Sequence, residues 1–327
     1  MNKAVIINFN DILSPLYSTF EQAELTDITG KNRPDCLLTW TDYPQDHKMI
    51  CLAALQHGVP TFMVQHGRRA MRDYWTNLGQ PTSLATFVWG TKDYEDALEG
   101  RWAPEQVFRV GAPWFFYRPE RQEEKGLIVY DVPHWNIDTM ESKKTWAALR
   151  RIPGIRPIAK LITPSSQKQL NYIGEQCLTY RNEPGHLEST FDLLKRASAV
   201  VCMMESTIEL MAISLGIPVI HVEGFKHKEL AGTWQGVEDT LPGKGSFATT
   251  LKDLPKTITL AMEHPELKAQ EARERLLEDA GDPETDIPIQ SITTIVGQLV
   301  EKYKTEDHAP ITMFDTDRYH ETNPRIS

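Results

Sequence analysis

Ser206 and Thr207 stand where an apolar run gives way to a helical pattern, and Glu209 follows within one turn. The stretch from Ala199 to Glu223 predicts one β-α-β unit. Ala199 to Met203 reads as a short buried strand, Ser206 and Thr207 as the opening of a helix that Gly216 ends, and Pro218 to Val222 as the next strand. A small polar pair opening a helix at a strand's carboxyl end makes an anion site, because unpaired backbone N–H groups and the helix dipole converge there. Glu209 is placed to reach outward and accept hydrogen bonds from sugar hydroxyls. The alternative is structural: Ser206 caps the helix and Glu209 complements its dipole.

The surrounding elements repeat this plan. Ala4 to Phe9 and Asp35 to Thr41 read as strands. Lys48 to His57 reads as a helix stopped by Gly58, and Pro60 to Gln65 as a strand leading into His66-Gly67. Leu84 to Gly90 predicts a further strand, Lys92 to Glu99 a short helix, and Val107 to Gly111 the last strand of a first lobe. After a polar stretch between Pro113 and Gly126, a second lobe opens with the strand Leu127 to Tyr130. It continues through a helix near Lys143 to Arg151, a strand Ile158 to Ile162 and a helix Leu187 to Arg196. Leu254 to Met262, Glu266 to Glu278 and Ile289 to Lys304 read as helices. Alternating strands and helices with short connections imply α/β architecture with parallel sheets covered on both faces. The expected division is a Rossmann-like domain over 1–118, a second over 119–304 and a tail over 305–327. Ligands are expected at the strands' carboxyl ends, in a cleft between the lobes.

Composition narrows the function classes. The chain has 327 residues, of which 40% are hydrophobic, 9% aromatic and 24% charged, as in a globular enzyme large enough for two cores. Its formal charge of −10 repels polyanions, so a nucleic-acid acceptor is disfavoured and would need a local basic patch. The opening residues lack a basic region followed by a long apolar one, and no apolar run reaches the ~18 residues of a membrane span; the expectation is a cytoplasmic protein. Cys36, Cys51, Cys177 and Cys202 are scattered, which predicts reduced core residues, neither disulfides nor metal ligands.

Four stretches together resemble glycosyltransferases and related nucleotide-sugar enzymes of the GT-B architecture, built from two facing Rossmann-like domains. The likeness is to the bacterial capsule, teichoic-acid and lipopolysaccharide transferases, with non-hydrolysing sugar-nucleotide epimerases as cousins. Pro60-Thr-Phe-Met-Val-Gln-His-Gly67 is similar to the Gln-His-Gly loop of the acceptor-side lobe. Phe87-Val-Trp-Gly90 with Val107-Phe-Arg-Val-Gly-Ala-Pro113 resembles the Trp-Gly and Val-Gly-x-Pro pair that closes that lobe. Ile158-Ala-Lys-Leu-Ile-Thr-Pro164 resembles a strand that usually ends Lys-x-His-Pro, and Leu193 to Pro218 resembles the donor-binding unit. Thr163 departs from the pattern, standing where the family commonly has histidine.

The resemblance implies transfer of a sugar from a nucleotide-sugar co-substrate to a hydroxyl acceptor, with no metal and no other cofactor. Ser206 and Thr207 would bind the diphosphate and Glu209 the ribose. His66 is the candidate general base, since histidine titrates near working pH; the alternative is that it shapes its loop. Gln65, Gly67, Arg68, Arg69 and Arg72 are candidate acceptor or phosphate contacts, although a basic helix start is commonly just a solvated face. His134 and Lys160 are candidate donor contacts. Asp315-Thr-Asp317 has the D-x-D form of a different, metal-dependent fold and is assigned no metal, while Gly243-Lys-Gly245 is too short for a P-loop. Trp75, Trp89, Trp102, Trp114 and Trp135 are expected mostly in packing. The competing readings are a sugar-nucleotide 2-epimerase, a polyol-phosphate transferase, and a nucleotide-binding protein without chemistry.

Overall fold

The computed structural model describes residues 4–6, 21–22, 33–39, 45–65, 82–99, 102–132, 139–161, 173, 177–179, 186–223 and 242–305. The chain divides into two compact units, Met1–Phe116 with Asp279–Ser327, and Tyr117–Glu278. No helix among the described residues is long and apolar enough to cross a membrane.

The first unit carries β1 (Ala4–Ile6), β2 (Glu21–Gln22), β3 (Cys36–Thr39), α1 (Gln45–Gln56), β4 (Thr61–Val64), β5 (Ala85–Val88), α2 (Thr91–Glu99) and β6 (Val107–Arg109). Its strands form one parallel sheet in the order β2-β1-β3-β4-β5-β6. All positions of β3, β4 and β5 are buried, so both faces must be covered, and their apolar runs show no polar alternation. One face, built from Leu38, Phe62, Val64 and Phe87, packs on Ile292, Val296 and Val300 of the C-terminal helix Pro288–Thr305. Those three residues are spaced i, i+4, i+8 and form one helical stripe. The other face meets α1 and α2 through Leu37 with Ala54 and Met63 with Ala97.

This packing corrects the expected division at residue 304. The helix Pro288–Thr305 belongs to the first unit, where its apolar stripe fills the sheet's open face and Lys304 pairs with Asp35 at 2.9 Å. The return into that unit is tight. Gly111 adopts φ 83°, and a Cβ there would meet Asp286 Cβ at 2.7 Å, while Ala112 N donates to Ala280 O at 2.8 Å. Only glycine fits that approach, which gives the Val-Gly-Ala-Pro stretch a packing role. The expected tail beyond Thr305 lies outside the described residues.

The second unit carries β7 (Leu127–Asp131), α3 (Thr139–Leu149), β8 (Arg156–Leu161), β9 (Cys177–Thr179), α4 (His186–Leu194), β10 (Ala199–Cys202), α5 (Thr207–Ser214), β11 (Val219–Val222), β12 (Phe247–Thr249), α6 (Leu254–Glu263) and α7 (Glu266–Asp279). Its parallel sheet runs β12-β11-β10-β7-β8-β9. Read from the other edge, this is the Rossmann order, third strand to first, then fourth to sixth. Ile128, Tyr130, Val201, Ile220 and Val222 pack on Trp146 and Leu149 of α3 and on Leu254 and Ile258 of α6. Because strand side chains alternate, Cys202 and His221 face the other way, the side α5 covers. The edge strands β2, β9 and β12 were not expected: each has two or three residues, too few for a periodic signal.

Ile292→Ala should lower unfolding free energy by about 2–5 kcal/mol, the usual cost of truncating a buried aliphatic side chain. Leu267→Ala, at an exposed site, should stay within about 0.5 kcal/mol. Urea denaturation of the full chain checks this; equal effects would contradict the packing of the C-terminal helix.

Candidate functional site

The second unit's chain winds from β7 outward to β8 and β9, then returns to place β10 on the opposite side of β7. The carboxyl ends of β7 and β10 therefore flank the switch point, where open α/β sheets bind ligands. Asp131 is the last residue of β7 and pairs in register with Lys160 on β8. The Ser206 hydroxyl donates to Asp131 Oδ2 at 2.7 Å, and Lys160 Nζ lies 3.9 Å from Asp131 Oδ1. Ser206 occupies the N-cap position of α5 with extended backbone, but its hydroxyl makes no capping bond because it is spent on Asp131. Met204, Glu205, Ser206 and Thr207 are half-buried, so the start of α5 reaches the surface, and there the helix dipole favours an anion.

Asp131 and Lys160 are both buried, and this governs their protonation. Burial raises the Asp131 carboxyl above its ordinary value, opposed by the Lys160 charge and the Ser206 hydrogen bond. Burial likewise lowers the Lys160 ammonium, opposed by Asp131. Asp131 Oδ1 is buried and accepts no hydrogen bond among the described residues. Lys160 thus faces Asp131 as a buried ion pair at the carboxyl edge of the sheet.

Glu209 also departs from expectation. Its side chain is fully buried, and Oε2 accepts from Arg275 Nη2 at 2.7 Å. A carboxylate placed outward to bind ribose would be exposed; this one faces inward because Arg275 of α7 supplies its counter-charge. Arg275 also pairs with Glu205 at 3.4 Å and donates to Ser246 Oγ at 3.2 Å. The loop Gly243-Lys-Gly245 fits closely around this guanidinium: a Cβ at Gly243 would meet Arg275 Nη1 at 2.1 Å. The segment that superficially suggested a phosphate loop is thus a packing turn. Beside Glu209, burial and then that carboxylate push the Cys202 thiol well up.

In the first unit, Gln65 follows β4 and is buried. Its Nε2 donates to Asp93 Oδ2 at 2.7 Å, its Oε1 accepts from Trp89 N at 2.8 Å, and its backbone carbonyl accepts from Trp89 Nε1 at 2.9 Å. Gln65 is therefore a structural tie between the ends of β4 and β5, which corrects its assignment as an acceptor or phosphate contact. Trp89 and Trp114 meet edge to face at 5.9 Å, and with Trp102 they lie in the core. His66, Gly67, Arg68, Arg69, Arg72, His134, Trp75, Trp135 and the Asp315-Thr-Asp317 stretch lie outside the described residues. Cys36, Cys51 and Cys202 are buried and free of disulfides.

Sequence reasoning missed Asp131, Glu205, Arg275 and His221. His221 carried a readable signal, a polar residue inside the apolar run Val219–Val222. Arg275 carried none, because it lies among other charged residues on α7 and its partner is 66 positions away.

No family model matches the chain, and no curated protein matches it. Solved structures do match, at the level of fold. MnaA of S. aureus, solved with UDP, aligns with a TM-score of 0.60 over 95% of this chain and 100% of that one, at 15% identity. A UDP-GlcNAc 2-epimerase from Neisseria meningitidis bound to UDP-GlcNAc gives a TM-score of 0.54 over 89% of this chain and 81% of that one, at 14% identity. HepE of Anabaena in complex with UDP-glucose gives a TM-score of 0.53 over 92% and 99% respectively, at 11% identity. These are GT-B proteins, and this chain has their fold of two Rossmann-like α/β domains.

Lys160→Met leaves Asp131 buried without a facing cation, which should cost about 3–5 kcal/mol at about pH 7. The folded carboxyl's raised pKa means that its ionisation penalty grows as pH rises from the unfolded value of 3.8 through the folded one. In acid, Asp131 is protonated and no longer offers wild-type Lys160 a negative charge. The melting-temperature deficit of the variant should therefore shrink or reverse as pH falls; a deficit that is constant with pH would refute the pairing. For the second pair, Arg275→Met should cost about 3–5 kcal/mol by stranding Glu209, and adding Glu209→Leu should recover most of it in a double-mutant cycle.

Proposed function

We propose that the protein is a glycosyltransferase that moves a sugar from a nucleotide-sugar donor to a hydroxyl acceptor. The observation that carries this reading is the start of α5, half-exposed at the switch point and held by the Ser206 to Asp131 hydrogen bond. The first-turn amides of a helix at this place suit a diphosphate, whose negative oxygens complement the dipole. In the transfer, the acceptor oxygen bonds to the anomeric carbon as the bond from that carbon to the diphosphate oxygen breaks. The acceptor proton needs a base, the role that the sequence resemblance implies for His66, and the nucleoside diphosphate leaves with its charge met at the start of α5. No metal takes part in this scheme. With Glu209 turned inward, Glu205 is the carboxylate nearest the surface beside that helix start, with its side chain 18% exposed.

A second reading, a sugar-nucleotide 2-epimerase, is favoured by the fold similarity to the UDP-GlcNAc 2-epimerase from Neisseria meningitidis. Incubation with UDP-GlcNAc and UDP-glucose, followed by NMR, separates the two. Sugar attached to an added acceptor marks a transferase, a C2 epimer marks an epimerase, and binding without turnover marks a nucleotide-binding protein.

Thermal shift across UDP, CMP, CDP, GDP and TDP should reveal one ligand that adds about 2.7 kcal/mol when present at ~100 times its dissociation constant. Thr207→Glu tests the anion site against a purely structural helix start. An acidic residue in a first turn is worth about +0.3–1 kcal/mol, so the variant should fold at least as well as wild type while losing the nucleotide. Unchanged nucleotide affinity in Thr207→Glu, or no ligand among the five, would overturn the reading. His66→Ala should keep nucleotide affinity and lose transfer.

A further inference from the structure

Three side chains that the proposed transfer does not use converge under α5. Cys202 and His221 are paired in register on the neighbouring strands β10 and β11, and their Sγ and Nδ1 atoms lie 3.7 Å apart. Glu209, from the first turn of the helix that joins those strands, closes the group. One donor atom from each residue lies within 4.8 Å of the others, and all three residues are buried to 1% exposure or less. One β-α-β unit therefore supplies a thiol, an imidazole and a carboxylate to one point.

The carboxylate gives an independent indication of a ligand. Glu209 Oε2 is held by Arg275, while Oε1 is buried without a well-aligned hydrogen bond among the described residues, and the polar group beside the carboxylate is the Cys202 thiol, whose proton a metal ion would displace. An unsatisfied buried carboxylate oxygen carries a desolvation penalty, and this one is oriented by a guanidinium in the manner of a metal-ligating carboxylate held by an outer partner. We propose that Cys202, Glu209 and His221 bind a divalent transition-metal cation, with zinc as the best fit.

The mixed sulfur, nitrogen and oxygen donors suit zinc and exclude calcium or magnesium, which take oxygen ligands. Coordinated cysteine is deprotonated outright. The dication then balances the thiolate and Glu209, while Arg275 is balanced by Glu205 at 3.4 Å. Bonds of about 2.0–2.3 Å would draw the three donors together by a side-chain adjustment of about 1 Å. A water would complete the tetrahedron beside these three protein donors, and the ion would tie β10, β11 and α5 together beneath the Met204–Thr207 segment and enter no step of the transfer.

Full-length protein, refolded with zinc and dialysed, should retain one zinc per chain by elemental mass spectrometry. Refolding with cobalt should give a thiolate-to-cobalt charge-transfer band and tetrahedral ligand-field absorption. Cys202→Ser should abolish the charge-transfer band, and His221→Ala should abolish stoichiometric metal. Wild-type protein that holds well below one ion per chain and shows an octahedral cobalt spectrum would overturn the proposal, whether or not the variants fold. Stoichiometric metal retained by Cys202→Ser with an unchanged spectrum would overturn it equally.

Discussion

A guanidinium buried to 2% exposure between two carboxylates sets the direction of α5 in the second unit. Arg275 comes from α7, and Glu205 and Glu209 bracket the entry to α5, so the pair of contacts fixes where the first turn points. An unpaired charge at this depth would cost several kcal/mol, and the segment therefore has little freedom to adopt another arrangement. Gly243 and Gly245 allow the preceding loop to lie directly against α7, because any side chain at either position would collide with Arg275 or Ala272.

That anchoring lets a second buried polar group work at the sheet's carboxyl edge. Asp131 binds the Ser206 hydroxyl on one oxygen and faces Lys160 with the other. Strands β7 and β8 and the start of α5 are thereby tied at the one place where the strand order reverses. Hydrogen bonds that would ordinarily cap the helix are redirected sideways. The first turn keeps its dipole directed at the surface, which is the property that the proposed diphosphate site requires.

In the first unit an equivalent tie is made by a neutral amide. Gln65, just past β4, bridges Trp89 at the end of β5 and Asp93 in the first turn of α2, and Trp89 packs edge to face on Trp114. The Gln-His-Gly and Trp-Gly stretches that carried the family resemblance are therefore partly explained by packing. Their order along the chain is that of the GT-B resemblance, and in the proposed transfer the chemical role in this unit falls to His66.

Residue order alone was enough to read the α/β class, the two-sheet plan and most element positions, because apolar runs bounded by glycine and proline report local burial directly. It also placed Ser206 and Thr207 at a helix start, since the change from an apolar run to a helical period is a matter of neighbouring residues. Tertiary structure decided the rest. It turned Glu209 inward toward an arginine 66 positions away, committed Lys160 to Asp131, and set Cys202 beside His221. It also sent the helix Pro288–Thr305 back to cover the first sheet. The reason is common to all four: each depends on which distant surface or charge meets the residue, and a one-dimensional pattern holds the period of a helix or strand but not the identity of what packs against it.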